Sequence, residues 1–162
     1  MKIAVLSDSH DHLEKLDAAA DAIRSADAVI HCGDLCSPFM VRRMGEIASE
    51  RPVHIVWGNN DGDTFLIGQV AAAFPSIQLH GALAEIELGG LKIAVNHYPH
   101  IATGLARSGM YDVVCYGHDH VRHESRDGKC LLLNPGELMG MKGASTLALL
   151  ETDGLAVEFV EF

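Results

Sequence analysis

No apolar stretch in the chain approaches the length of a membrane span, which argues against an integral membrane protein. A secretory leader is not expected either. Lys2 leads directly into an apolar run that reads as a core strand, so a cytoplasmic protein is expected. Basic residues are scarce: 12 Lys and Arg stand against 22 Asp and Glu, a formal net charge of −10. A stable grip on a DNA or RNA polymer is therefore not expected, although bound divalent cations can match part of that charge. Cysteine is limited to Cys32, Cys36, Cys115 and Cys130, without a C-x-x-C pair. That spacing speaks against a disulfide framework or a cysteine-rich zinc site, and the thiols read as buried and free. No repeat, low-complexity tract or linker divides the chain, so residues 1–162 are expected to form one domain.

What is present is a recurring local pattern. Met1 to Ser7 is a short apolar run suited to one buried strand, and Asp8-Ser9-His10 follows at once. An apolar run ending in Asp, Asn or His returns at Asp34, at Asn59, at His97 and at the pair His118/His120. In an open α/β sheet such strand ends share one rim, where ligands bind. The donors are carboxylate, amide oxygen and imidazole without thiolate, a set suited to Mn²⁺, Fe²⁺ or Zn²⁺. The first strand leads into Asp-Ser-His and not a Gly-rich loop, which counts against a Rossmann-type nucleotide binder.

The first 61 residues alternate strand and helix. Asp11 with Glu14 reads as a capping box for a helix carrying Leu13, Leu16, Ala20 and Ile23 on one face. Strands are expected at 28–32 and 52–57, and Ser37-Pro38 opens a second helix between them. This alternation predicts a parallel sheet with right-handed crossovers. The second half predicts a short helix at 65–73, another at 100–108, a strand at 113–116, and three hairpins. The hairpins turn at Gly89-Gly90, Asp127-Gly128 and Asp153-Gly154. Two mixed sheets packed face to face, with helices outside, follow from that reading.

Taken together, Asp8-Ser9-His10, Gly33-Asp34, Gly58-Asn59-Asn60-Asp61, His97 and Gly117-His118-Asp119-His120 resemble, in order, the motif series of the calcineurin-like metallophosphoesterases. The chain's short length resembles that of their small prokaryotic phosphodiesterase branch, the group that includes the YfcE-like enzymes. The resemblance implies an α/β fold, specifically a four-layer α/β/β/α sandwich with two mixed β-sheets. It implies two divalent transition metal ions, Mn²⁺ foremost, with Fe, Zn, Ni or Co as the alternatives. Asp8, His10, Asp34 and His120 would hold one; Asp34, Asn59, His97 and His118 would hold the other. The implied reaction is two-metal hydrolysis of a small phosphodiester by a water or hydroxide shared between cations, with Asp34, Asn60 and His97 at the reaction centre. A phosphomonoesterase and a Vps29-like protein-interaction scaffold are the alternatives. Small members of the family are often dimeric, and oligomeric state stays open.

Three departures from the family pattern stand out. Asn60 occupies a position that often carries His, a candidate acid for the leaving group. Tyr98-Pro99-His100 follows His97 where Gly is common. The late N-P-G-S element reads Asn134-Pro135-Gly136-Glu137, expected here to be a plain turn, and Lys142 beyond it is expected to be a solvated surface residue.

Overall fold

The computed structural model describes residues 1–162. Strand β1 (Lys2–Leu6) leads through two short helices, α1 (Leu13–Ala18) and α2 (Ala20–Arg24), to β2 (Ala28–His31). Helix α3 (Pro38–Ala48), β3 (Val53–Ile55), α4 (Thr64–Ala71) and β4 (Ile77–Leu79) complete the first half. The second half runs β5 (Ala84–Leu88), β6 (Leu91–Val95), α5 (Pro99–Arg107), β7 (Val113–Cys115), β8 (His123–Asp127), β9 (Cys130–Asn134), β10 (Thr146–Glu151) and β11 (Ala156–Glu161).

The strands form two mixed sheets, ordered β11-β10-β1-β2-β3-β4 and β5-β6-β7-β9-β8. In the first, β1 to β4 are parallel and the last hairpin adds antiparallel to β1. In the second, β6, β7 and β9 are parallel, flanked by antiparallel β5 and β8. Alternation of side chains along each strand divides the core into three seams. Ala4 and Leu6 pack with Val29, Val53 and Ile55 against α1 to α4. Ile3 and Val5 face the other way, meeting Ile93, Val95, Val113, Leu131 and Leu133 between the sheets. Ala94, Val114 and Leu132 pack beneath Ala102 and Ala106 of α5. Helices, sheet, sheet and helix are the four layers expected.

Local expectations fared unevenly. The capping box at Asp11 does not form: α1 starts after His12, which makes no side-chain cap. Asp11 instead has φ +59° and sends its N–H to the Leu35 carbonyl, 3.3 Å away, so the loop after β1 is set by the loop after β2. The single helix expected there is two, joined at Ala19. The helix expected from Phe65 begins at Thr64, capped by Asp63, whose carboxylate accepts from Leu66 N at 2.9 Å. Strand β4 was not anticipated. The four cysteines are free, with Cys32, Cys115 and Cys130 buried and Cys36 only half-buried, a correction to the expected burial of all of them. No helix is long and apolar enough to cross a membrane.

Candidate metal centre

The parallel strands β1, β2, β3, β6, β7 and β9 end on one rim, and their following loops carry the candidate residues. Asp8 and His10 follow β1, Asp34 follows β2, and Asn59 follows β3. His97 follows β6, and His118 and His120 follow β7. Asp8, Asp34 and His97 are buried and form the floor; Asn59, Asn60 and His118 are exposed and form the lip.

The loops approach too closely for side chains at two points. A Cβ on Gly58 would lie 2.1 Å from Asp34 Oδ1, and one on Gly117 would lie 1.9 Å from Ser7 Oγ. Glycine opens the G-N-x-D and G-H-x-H elements because one loop passes directly over another there. Asp61 clamps two loops, accepting from Gly58 N at 2.6 Å, Asp34 N at 3.0 Å and Cys36 N at 2.8 Å. Asp8, His10, Asp34, His118 and His120 have φ of 52°, 41°, 59°, 77° and 65°, the left-handed region that side chains disfavour.

Donor atoms gather in two groups. Asp8 Oδ1 lies 3.3 Å from His120 Nε2 and 3.7 Å from His10 Nε2. In the second group His118 Nδ1 lies 2.8 Å from Asn59 Oδ1 and 3.3 Å from His97 Nε2, and those last two atoms are 3.2 Å apart. Asp34 Oδ2 stands between the groups, 3.6 Å from His10 Nε2 and 3.4 Å from His97 Nε2. Two ligands each about 2.1 Å from a cation, at roughly tetrahedral or right angles, stand about 3.0–3.4 Å from one another. The second group, at 2.8–3.3 Å, is close to that spacing, and the first, at 3.3 and 3.7 Å, is slightly wider. Asp8 Oδ1 and His10 Nε2 are buried without any hydrogen-bond partner, a costly condition that a cation between them relieves. The residues present fit divalent ions.

The ligands are held from behind. His118 N–H donates to Asp8 Oδ2 at 3.0 Å, leaving Oδ1 free. His97 Nδ1 lies 2.8 Å from the Cys32 carbonyl, which only accepts, so Nδ1 carries the proton and Nε2 presents a lone pair. His10 Nδ1 rests 3.4 Å from Cys36 Sγ. That thiol is pushed up to about 12 by burial and then by the neighbouring carboxylates, so it stays protonated. Burial raises the Asp34 carboxyl, but His97 and the Asn60 amide groups outweigh it and hold it well below the usual range. Asp8 is likewise held low against its burial, chiefly by His10. In return, Asp8 foremost raises His10, and Asp34 with the Cys32 carbonyl raises His97 against its burial. A cation at these nitrogens would displace any proton they carry.

Asn60 is drawn into this network. Its backbone N–H reaches Asp34 Oδ1 at 2.8 Å and its side-chain amide donates to Asp34 Oδ2 at 2.7 Å. His100 is exposed at the start of α5, outside both groups. The residue that sequence reasoning missed is Glu137, expected to be part of a turn. It follows β9, is 1% exposed, and places Oε2 2.7 Å from His120 Nδ1. The same apolar-run pattern that marked the other loops precedes it at Cys130 to Leu133. Beside His120 a groove of about 230 Å³ is lined by Arg122, Lys142 and Thr146, among others; Arg122 is paired with Glu161, whereas Lys142 has no ion-pair partner.

Residues 1–154 match the calcineurin-like phosphoesterase superfamily domain. The chain belongs to that superfamily. A phosphodiesterase of Methanocaldococcus jannaschii is 31% identical over 158 residues, covering 94% of each chain. A solved archaeal phosphodiesterase superimposes with a TM-score of 0.91 at 28% identity, covering all of both chains. Vps29 of Entamoeba histolytica in complex with zinc shares the fold, with a TM-score of 0.69 at 20% identity over 100% of this chain and 98% of that one. The chain is thus a phosphoester hydrolase of the superfamily's small prokaryotic branch, and membership implies divalent metal ions.

Proposed function

We propose that the chain is a metal-dependent phosphodiesterase with a binuclear centre. Asp8, His10, Asp34 and His120 would hold one cation; Asp34, Asn59, His97 and His118 would hold the other. The observation that carries this reading is Asp34 Oδ2, within 3.6 Å of an imidazole nitrogen from each donor group. When bound, the ions supply Lewis acidity: they activate water and neutralise charge developing on the phosphoryl oxygens.

The chain's own groups divide the remaining work. Asp8 and Asp34 are the only carboxylates among the proposed ligands, so two divalent ions keep a net positive charge there, which draws an anionic ester. Asn59 adds an oxygen without adding charge. Asn60 has no proton to give near neutral pH and so cannot serve as leaving-group acid; its amide steadies Asp34. Lys142 stands at the groove beside His120, free to meet a phosphate. A diester is preferred as substrate because the relative at 31% identity is a phosphodiesterase, and a small one because the net charge of −10 opposes polymeric nucleic acid. The free, buried Cys32, Cys115 and Cys130 suit a reducing compartment, in keeping with the cytoplasm.

The test is to strip the protein with chelator and reconstitute it with Mn²⁺, Fe²⁺, Zn²⁺, Ni²⁺ or Co²⁺ in turn. Each form is assayed on bis(p-nitrophenyl) phosphate, p-nitrophenyl phosphate, cyclic nucleotides and dinucleotides. Diester hydrolysis that returns with about two ions per chain supports the reading. Full activity after stripping overturns metal dependence, faster monoester turnover favours a phosphomonoesterase, and inertness with no metal uptake favours a scaffold.

A further inference from the structure

Asp8, Asp34 and Glu137 are the buried acidic residues of the chain, and only Glu137 is left without a place in the ligand set. Its two oxygens are used separately. Oε2 meets His120 Nδ1 at 2.7 Å, while Oε1 accepts from Gly143 N at 2.8 Å and from Lys142 N. Oε1 already accepts two amides, as an ionised carboxylate does, and such a group only accepts, so the proton between Glu137 and His120 belongs to Nδ1. In the neutral ring the lone pair is then on Nε2, the nitrogen that faces Asp8 Oδ1 at 3.3 Å.

We propose that Glu137 is a positioning residue. By accepting from His120 and from the Lys142 and Gly143 amides together, it couples the tautomer of one metal ligand to the fold of the loop at 137–143. It thereby sets the affinity of the cation held by Asp8, His10 and His120. The proposal rests on the binuclear reading above. Carboxylates behind ligating histidines commonly act this way, fixing ring orientation and raising basicity. What is particular here is the second duty of the same carboxylate. The neighbours of Glu137 are anchored independently of its side chain: Leu138 N donates to Ser7 O at 2.9 Å and Met139 N to Asp8 O at 3.1 Å. The backbone should therefore survive a change of side chain.

Glu137→Gln separates the two duties. The amide has one oxygen and one NH₂. With the oxygen on the two loop amides, the NH₂ faces His120 Nδ1 and demands a lone pair there. The proton then moves to Nε2, the atom aimed at the cation. Two measurements decide. In metal-free protein at a pH high enough to leave the rings neutral, ¹⁵N–¹H correlation spectra of the imidazoles should show His120 as the Nδ1–H tautomer in wild type and Nε2–H in Glu137→Gln. In Mn²⁺ titrations, wild type should take two ions, whereas Glu137→Gln should keep one at unchanged affinity and bind the other about 10–100-fold more weakly. Glu137→Asp, which keeps a carboxylate, should retain the Nδ1–H tautomer and lose less affinity. If Glu137→Gln fails to fold, the wild-type tautomer and the Glu137→Asp titration carry the test. A wild-type His120 protonated on Nε2, or Glu137→Gln with both ions at wild-type affinity, overturns the proposal. Wild type that takes up no cation instead sinks the binuclear reading and the affinity claim with it, and the metal-free spectra still decide separately whether Glu137 positions His120.

Discussion

The two sheets end on one rim but bring different chemistry to it. Loops of the first sheet carry Asp8, Asp34 and Asn59, with His10 as their one imidazole; loops of the second carry His97, His118 and His120. Each kind of ligand is fixed by the opposite kind of partner. The carboxylates are held by donors, His118 N–H on Asp8 and the Asn60 amides on Asp34. Two of the second sheet's imidazoles are held by acceptors, the Cys32 carbonyl behind His97 and Glu137 behind His120. Charge therefore comes from one sheet and directed lone pairs from the other, and neither sheet alone makes a site.

The sharpest way to break this division is to remove charge from the first sheet where both donor groups meet. Asp34→Asn should lower kcat/KM for a diester by about 10³-fold or more, beyond the loss typical of a single stabilising contact, and reduce bound metal in elemental analysis. On the second sheet, His97→Ala should lose about 10²-fold in kcat and one ion per chain, whereas His100→Ala, on the exposed start of α5, should keep both ions. The reverse result would place the ligand on the helix and not at the strand end.

A smaller effect is expected at Asn60. Wild type should hydrolyse aryl diesters readily and alkyl diesters slowly, with a steep dependence of kcat on leaving-group pKa. Asn60→His should flatten that slope, raising alkyl turnover by roughly 10²-fold if the imidazole reaches the leaving oxygen. A flat wild-type slope that the variant leaves unchanged would assign the acid elsewhere.

The smallest effect concerns histidines of the first sheet that serve no ligand role. His54 is pushed down to about 4 by burial, and then by His80, whose Nε2 lies 2.9 Å from its Nδ1. An unfolded histidine titrates near 6.5, so between about pH 6.5 and 4 the unfolded chain binds the extra proton. Stability from this group is present above that window and lost as pH falls through it. His54→Gln should recover on the order of 1–2 kcal/mol at pH 4.5 in denaturant titrations, with little change at pH 8. Equal shifts at both pH values would make the residue a packing element only.

How far the sequence could be read depended on whether the deciding contact was local. The three core seams follow from alternation within each strand, and Ile3/Val5 against Ala4/Leu6 already separates two of them. The residues gathered on the rim were legible because each stretch of them follows an apolar run. The misses are long-range. Asp11 looks like a cap until the loop after β2 takes its N–H. Ile77 to Leu79 is too short to signal a strand without β3 beside it. Glu137 looks like a turn residue until His120, 17 positions earlier, is found against it.

The left-handed backbone at Asp8, His10, Asp34, His118 and His120 has an evolutionary consequence. Such conformations cost non-glycine residues about 1 kcal/mol or more apiece, though somewhat less for aspartate. A lineage that gave up hydrolysis could place residues without ligating side chains at these positions, glycine above all, and become more stable with each step. Drift from enzyme toward passive scaffold runs downhill for this architecture, and recovering the enzyme runs uphill. Holding all five residues in that backbone region costs stability that the fold alone does not require.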